Sequence, residues 1–140
     1  MTLETYSGFF QKYNVLIGII ICALFTSILL TILPIAFFFL GDIYLVIGCF
    51  FGLYITFRYK KESQSHMKIG IIVGLVGSVL SLLLINILFA LFYGFNFIDF
   101  LLYLIVFNGI MFIFIGLIFG FVFGYYYKKK EQEQTKYPLY

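Results

Sequence analysis

The sequence predicts an all-α fold: a four-transmembrane-helix bundle made of two helical hairpins, with both termini cytoplasmic. Three observations carry it. Residues 13–41, 43–57, 69–98 and 100–127 contain no Asp, Glu, Lys or Arg, and only Asp42 and Asp99 divide them into helix-sized pieces. Uncharged apolar stretches of about 18 residues or more read as membrane helices. Hydrophobic residues make up 64% of the chain and charged residues 11%, whereas a soluble domain is about half apolar and a quarter charged. The third observation is the placement of the basic residues, all of which fall on one side of a four-span threading.

The first helix is expected over about 15–33. Its apolar run exceeds a signal-peptide core of about 7–15 residues, so it is read as a retained span. Pro34 lies near its outer end, where the missing amide favours a kink or a stop. An aromatic link, Phe37-Phe38-Phe39, leads to Gly41 and Asp42. Asp42 fits an N-cap of the second helix, about 43–59, because a carboxylate accepts orphan amide hydrogens and suits the positive end of the dipole. A polar loop containing His66 precedes the third helix, about 69–92. After a link holding Gly94 and Asn96, Asp99 is the expected N-cap of the fourth helix, about 100–127, roughly 42 Å long if continuous. Residues 1–14 and 128–140 are read as cytoplasmic tails of one integral membrane domain spanning 1–140, because segments this short cannot build a core.

The nine basic residues are Lys12, Arg58, Lys60, Lys61, Lys68, Lys128, Lys129, Lys130 and Lys136. Four spans put all of them on one side, and the positive-inside rule makes that side cytoplasmic. Tyr13, Tyr59, Tyr125, Tyr126 and Tyr127 then fall at the inner interface and Tyr44 and Tyr93 at the outer one, as in an aromatic belt. The expected location is the cell membrane, multi-pass.

A faint internal repeat accompanies this threading. Ile17-Gly18-Ile19-Ile20 recurs as Ile69-Gly70-Ile71-Ile72, and Gly48-x-x-x-Gly52 with Tyr59-Lys60-Lys61 recurs as Gly116-x-x-x-Gly120 with Tyr127-Lys128-Lys129. Each half is then one hairpin, and the halves are related by an axis along the membrane normal. The strongest pattern is small residues at helical spacing. Gly48 and Gly52 mark the second helix, Gly70, Gly74 and Gly77 the third, and Gly109, Gly116, Gly120 and Gly124 the fourth. In lipid, apolar contact alone does not draw helices together, and close backbone approach at small residues supplies the attraction. These glycines are the helix-packing candidates, either inside the bundle or, on the fourth helix, at a homo-oligomer seam.

Asn86 and Asn108 are the polar intramembrane candidates. A side-chain amide in hydrocarbon needs partners, so they bond across helices or line a narrow polar path. No carboxylate or histidine sits at mid-span, which argues against a proton-coupled transporter. Cys22 and Cys49 read as small buried residues in helix contacts, with a disulfide or redox pair as the sharper alternative. No Cys/His ligand spacing supports a metal site, and no cofactor is expected. No nucleophile–base pair or paired carboxylates point to an enzyme. The basic clusters account for topology and for attraction to anionic lipid headgroups, at about 1 kcal/mol per charge, and give no case for nucleic acid.

The helix with Gly48 and Gly52 that ends near Tyr54, the polar loop with His66, and Gly70-x-x-x-Gly74-x-x-Gly77 together resemble a group of small archaeal four-helix membrane proteins of unknown function. The group's loop carries a His-Gly pair and doubled glycines. Here Met67 follows His66 and no doubled glycine occurs. The resemblance covers about residues 44–91 and implies architecture, with no activity to carry over. The expected function is that of a non-enzymatic membrane protein acting through helix–helix association, as an oligomer or a small subunit of a membrane complex. The alternative is a small oligomeric transporter or channel without an intramembrane ionisable residue.

Overall fold

The computed structural model describes residues 3–32, 37–60, 64–94 and 96–136, and among them the chain is almost entirely helical, with no strand. The elements are α1 (Leu3–Ile32), α2 (Phe37–Arg58), α3 (His66–Tyr93), α4 (Phe97–Leu104), a π-helical turn (Ile105–Gly109) and α5 (Ile110–Lys136). By length and composition three segments are fit to cross a membrane: Phe10–Ile32, His66–Tyr93 and Ile110–Glu133. Pro34 and Lys61 lie outside the described residues.

Several expected boundaries move. α1 begins at Leu3, so most of the expected tail 1–14 is helical, and Tyr13 (φ −113°, ψ 19°) interrupts the helix where the apolar run begins. A short segment cannot form a core, but it extends an already nucleated helix at little cost. α2 already includes Phe37, so Asp42 lies inside the helix and is not its N-cap. The helix satisfies the backbone hydrogen bonds of the aromatic stretch within the segment itself. Asp99 is not a cap either. Asn96 holds that position, its side-chain oxygen accepting from the Ile98 amide at 3.1 Å, while Asp99 sits in the first turn of α4. There its charge still complements the dipole.

The expected continuous fourth helix is divided by the π turn, which widens the hydrogen-bond ladder by one residue. Its residues, Ile105-Val106-Phe107-Asn108-Gly109, are weak helix formers by side-chain branching or backbone entropy. At the other end α5 runs on through Lys136, so residues 128–136 continue a helix of roughly 40 Å. Lys129 and Glu133 pair at 3.8 Å on that extension, one turn apart. α3 ends at Gly94, which takes the left-handed conformation (φ 70°) and donates its amide to the Ala90 carbonyl at 3.2 Å.

α1 packs along α2 and along α3, α3 packs along α5, and α2 meets α5 more loosely. α1 and α2 form one antiparallel pair and α3 with α5 another. The interior is filled by Leu30, Leu45, Leu53, Val73, Ile85 and Phe112. Stacked rings join Phe10 to Tyr59, Phe57 to Tyr127 and Phe57 to His66, so the N-terminal part of α1, the start of α3, the end of α2 and Tyr127 of α5 share one end of the bundle. Lys12, Arg58, Lys60, Lys68 and Lys128 to Lys130 belong to that end. Tyr93, whose hydroxyl donates to the Thr31 carbonyl at 3.0 Å, marks the other, with Asp42 and Asp99. Tyr44 departs from its expected interfacial place, because its side chain turns inward and is buried.

Candidate functional site

The glycines of the two hairpins meet backbone to backbone. A methyl group on Gly52 would stand 2.5 Å from the Gly18 carbonyl oxygen, and one on Gly18 would stand 2.8 Å from the Gly52 oxygen. In the second hairpin Gly70 and Gly120 face each other in the same way. One turn further, Gly48 lies against the Cys22 carbonyl and the Thr26 hydroxyl, while Gly116 lies against the Gly74 carbonyl and the Ser78 hydroxyl. At the basic end the Thr56 hydroxyl donates to the Asn14 carbonyl at 3.4 Å, and Gly124 stands against the His66 carbonyl. Gly18, Cys22 and Thr26 therefore have the same relation to α2 that Gly70, Gly74 and Ser78 have to α5. The faint repeat in the sequence is a repeat of packing register.

Separations this small leave no room for a side chain, so each seam excludes lipid and brings carbonyl and Cα groups of facing helices into direct contact. Gly77 serves a different junction. It faces the Cys22 Sγ, at 2.9 Å from where a Cβ would be, and so joins α3 to α1. Gly109 is buried at the end of the π turn. Eight of the nine sequence-selected glycines thus make close interhelical contacts within the chain.

Cys22 and Cys49 come together on α1 and α2, with sulfurs 3.2 Å apart; both are free thiols and fully buried. Most hydroxyls in the spans bond to their own helix: Thr26 to the Cys22 carbonyl at 2.8 Å, Ser27 to Ala23 at 2.6 Å, Thr56 to Gly52 at 2.8 Å and Ser81 to Gly77 at 2.7 Å. Such bonds satisfy the hydroxyl without drawing on another helix.

Asn86 is fully buried and donates from Nδ2 to the Phe97 carbonyl at 3.1 Å, which ties α3 to the start of α4; its Oδ1 has no hydrogen-bond partner among the described residues. Asn108 lies in the π turn and is half-buried.

Sequence reasoning missed the polar cluster at the basic end. Asn14, expected in a tail, is buried and donates to the Thr56 carbonyl at 3.3 Å and to the Gln64 side chain at 3.1 Å. Beside it Glu131 lies 3.0 Å from His66 Nε2 and 3.9 Å from Lys60 Nζ. The available signal was the spacing of Asn14 and Gly18, four residues apart on one face of α1. Glu131 had none, because only the helical continuation of α5 carries it back over His66. Among the described residues no group of three or more His, Cys, Asp or Glu side chains is arranged to hold a metal ion. No protein-family profile, no curated protein and no solved structure matches the chain.

Proposed function

We propose that this chain is a small multi-pass protein of the cell membrane that acts without catalysis, through helix–helix association, as a homo-oligomer or a small subunit of a membrane complex. Four segments cross: α1, α2, α3 and the α4–α5 unit. The 22 residues of α2 correspond to roughly 33 Å, enough for a hydrocarbon core of about 30 Å. The basic end faces the cytoplasm, in keeping with the positive-inside rule. Kinship with the small archaeal four-helix proteins belongs to this reading for its architecture alone.

The observation that carries the association reading is the unequal use of the spans. The glycine seams are occupied within the chain, yet only 22% of the most apolar window of α5 is buried, against 39% in α1 and 44% in α3. Ile110, Phe114, Ile118, Phe121 and Tyr125 form an exposed apolar stripe on α5, which is the face available to a second helix. The test is cysteine cross-linking in membranes, where the buried Cys22 and Cys49 give little background. Ile118→Cys is expected to give a discrete higher-mass product, and Ile72→Cys, on an exposed face of α3, none. Equal cross-linking at both positions, or none at either, would remove the association reading.

A second reading, a small oligomeric transporter or channel, is favoured by the buried Asn86 Oδ1, which has no partner among the described residues, since an unsatisfied buried acceptor suits a passing polar solute. Solute flux into liposomes should then fall in Asn86→Leu and Asn108→Leu. Flux equal to the parent's would dismiss it.

A further inference from the structure

Along α2 and α5 lies a cavity of about 430 Å³ lined by Phe50, Tyr54, Val122, Phe123, Tyr126 and Tyr127. We propose that this groove binds an anionic phospholipid, with an acyl chain along the aromatic wall and the headgroup phosphate meeting Arg58 and Lys130. The inference rests on the membrane placement proposed above and not on the association of chains.

The argument starts from helical spacing. On α2 the wall residues Phe50 and Tyr54 are followed four residues later by Arg58; on α5 Val122 and Tyr126 are followed four residues later by Lys130. Residues four apart stack on one helical face. Both stripes therefore pass from apolar to cationic in the same direction, toward the end where the inner headgroups lie. The groove has the polarity profile of a phospholipid, apolar along its length and positive at its mouth.

Among the described residues no carboxylate pairs with the cations at that mouth. Glu131 is held by His66 and Lys60, and Glu133 by Lys129. Arg58 and Lys130 are exposed, and neither has an ion-pair partner among the described residues. Arg58 lies over the Tyr59 ring at 6.0 Å, a contact that leaves the guanidinium charged. A guanidinium offers paired donors to phosphate oxygens and an ammonium a point charge.

The test is native mass spectrometry of the full chain in detergent with added phosphatidylglycerol or phosphatidylcholine of identical acyl chains. With two uncompensated cations the anionic lipid is expected to be retained roughly 30-fold better. The exposed double substitution R58Q/K130Q should bring the two lipids to near parity. Val122→Trp, which fills the groove from an exposed position, should reduce retention of both. Equal retention by the parent, a preference that survives R58Q/K130Q, or undiminished binding by Val122→Trp would each overturn the proposal. A chain that stays monomeric yet discriminates the lipids sinks only the association reading, and one that associates without discriminating sinks only this one.

Discussion

Gly52→Ala probes the packing argument most directly. The added methyl would stand 2.5 Å from the Gly18 carbonyl oxygen and 2.9 Å from Cys22 Cβ, so α1 and α2 must separate along the seam. Overpacking of this kind costs about 1–3 kcal/mol, and rigid backbone on the far side argues for the upper end. Alanine returns about 1 kcal/mol of helix propensity over glycine. The net loss is about 2 kcal/mol, which for a domain of this size lowers the melting temperature by roughly 6–10 °C. Circular dichroism of the detergent-solubilised protein measures it. Gly77→Ala is the internal comparison, because its nearest neighbour is the Cys22 side chain rather than backbone, and it should cost less than Gly52→Ala. Coupling sharpens the test. Gly18→Ala and Gly52→Ala push apart the same two helices and should be subadditive by at least about 0.5 kcal/mol, whereas Gly52→Ala and Gly120→Ala lie in different hairpins and should add. A shift under about 2 °C for Gly52→Ala, or strict additivity of Gly18→Ala with Gly52→Ala, would refute the backbone-contact account.

Other outcomes follow from the same geometry. Asn14→Leu removes two interhelical and loop hydrogen bonds and should cost about 1 kcal/mol in thermal denaturation, while Asn86→Leu, which loses one bond and an unpartnered acceptor, should cost less. Cys22 and Cys49 are fully buried, so maleimide should modify neither until the protein is denatured; rapid labelling of the folded protein contradicts the packing. Glu131→Gln should change stability by less than about 1 kcal/mol, because the carboxylate is half-exposed and its pairs with His66 and Lys60 are screened.

Much of the plan was legible because long uncharged apolar runs give helices fit to cross a membrane. The glycine positions could be read as contacts because only small residues let helix backbones meet. The repeat linking Gly18 with Gly70 and Gly52 with Gly120 was visible as spelling, and the structure turned it into equivalent contacts. The helix starts were misread for a common reason. Asp42 and Asp99 looked like caps by chemistry, but a cap is fixed by where the preceding backbone stops being helical, and that depends on what the upstream residues do. The π turn was not legible because weak helix formers such as Ile105, Val106 and Gly109 are also common inside ordinary membrane helices, so their presence alone does not mark a widened turn.

What the sequence by itself determined is the set of long uncharged stretches, of a length that suits lipid, and one end that collects every basic residue while Asp42 and Asp99 mark the other. Only the tertiary structure decided which surfaces meet. It joined Asn14 to Thr56 and Gln64, set Cys22 beside Cys49, returned Glu131 to His66, and lined a groove with residues of α2 and α5. The physical reason is that burial in lipid is a property of single residues and adds along a chain. Contact between helices depends on their relative rotation and rise, which residues far apart in sequence set together.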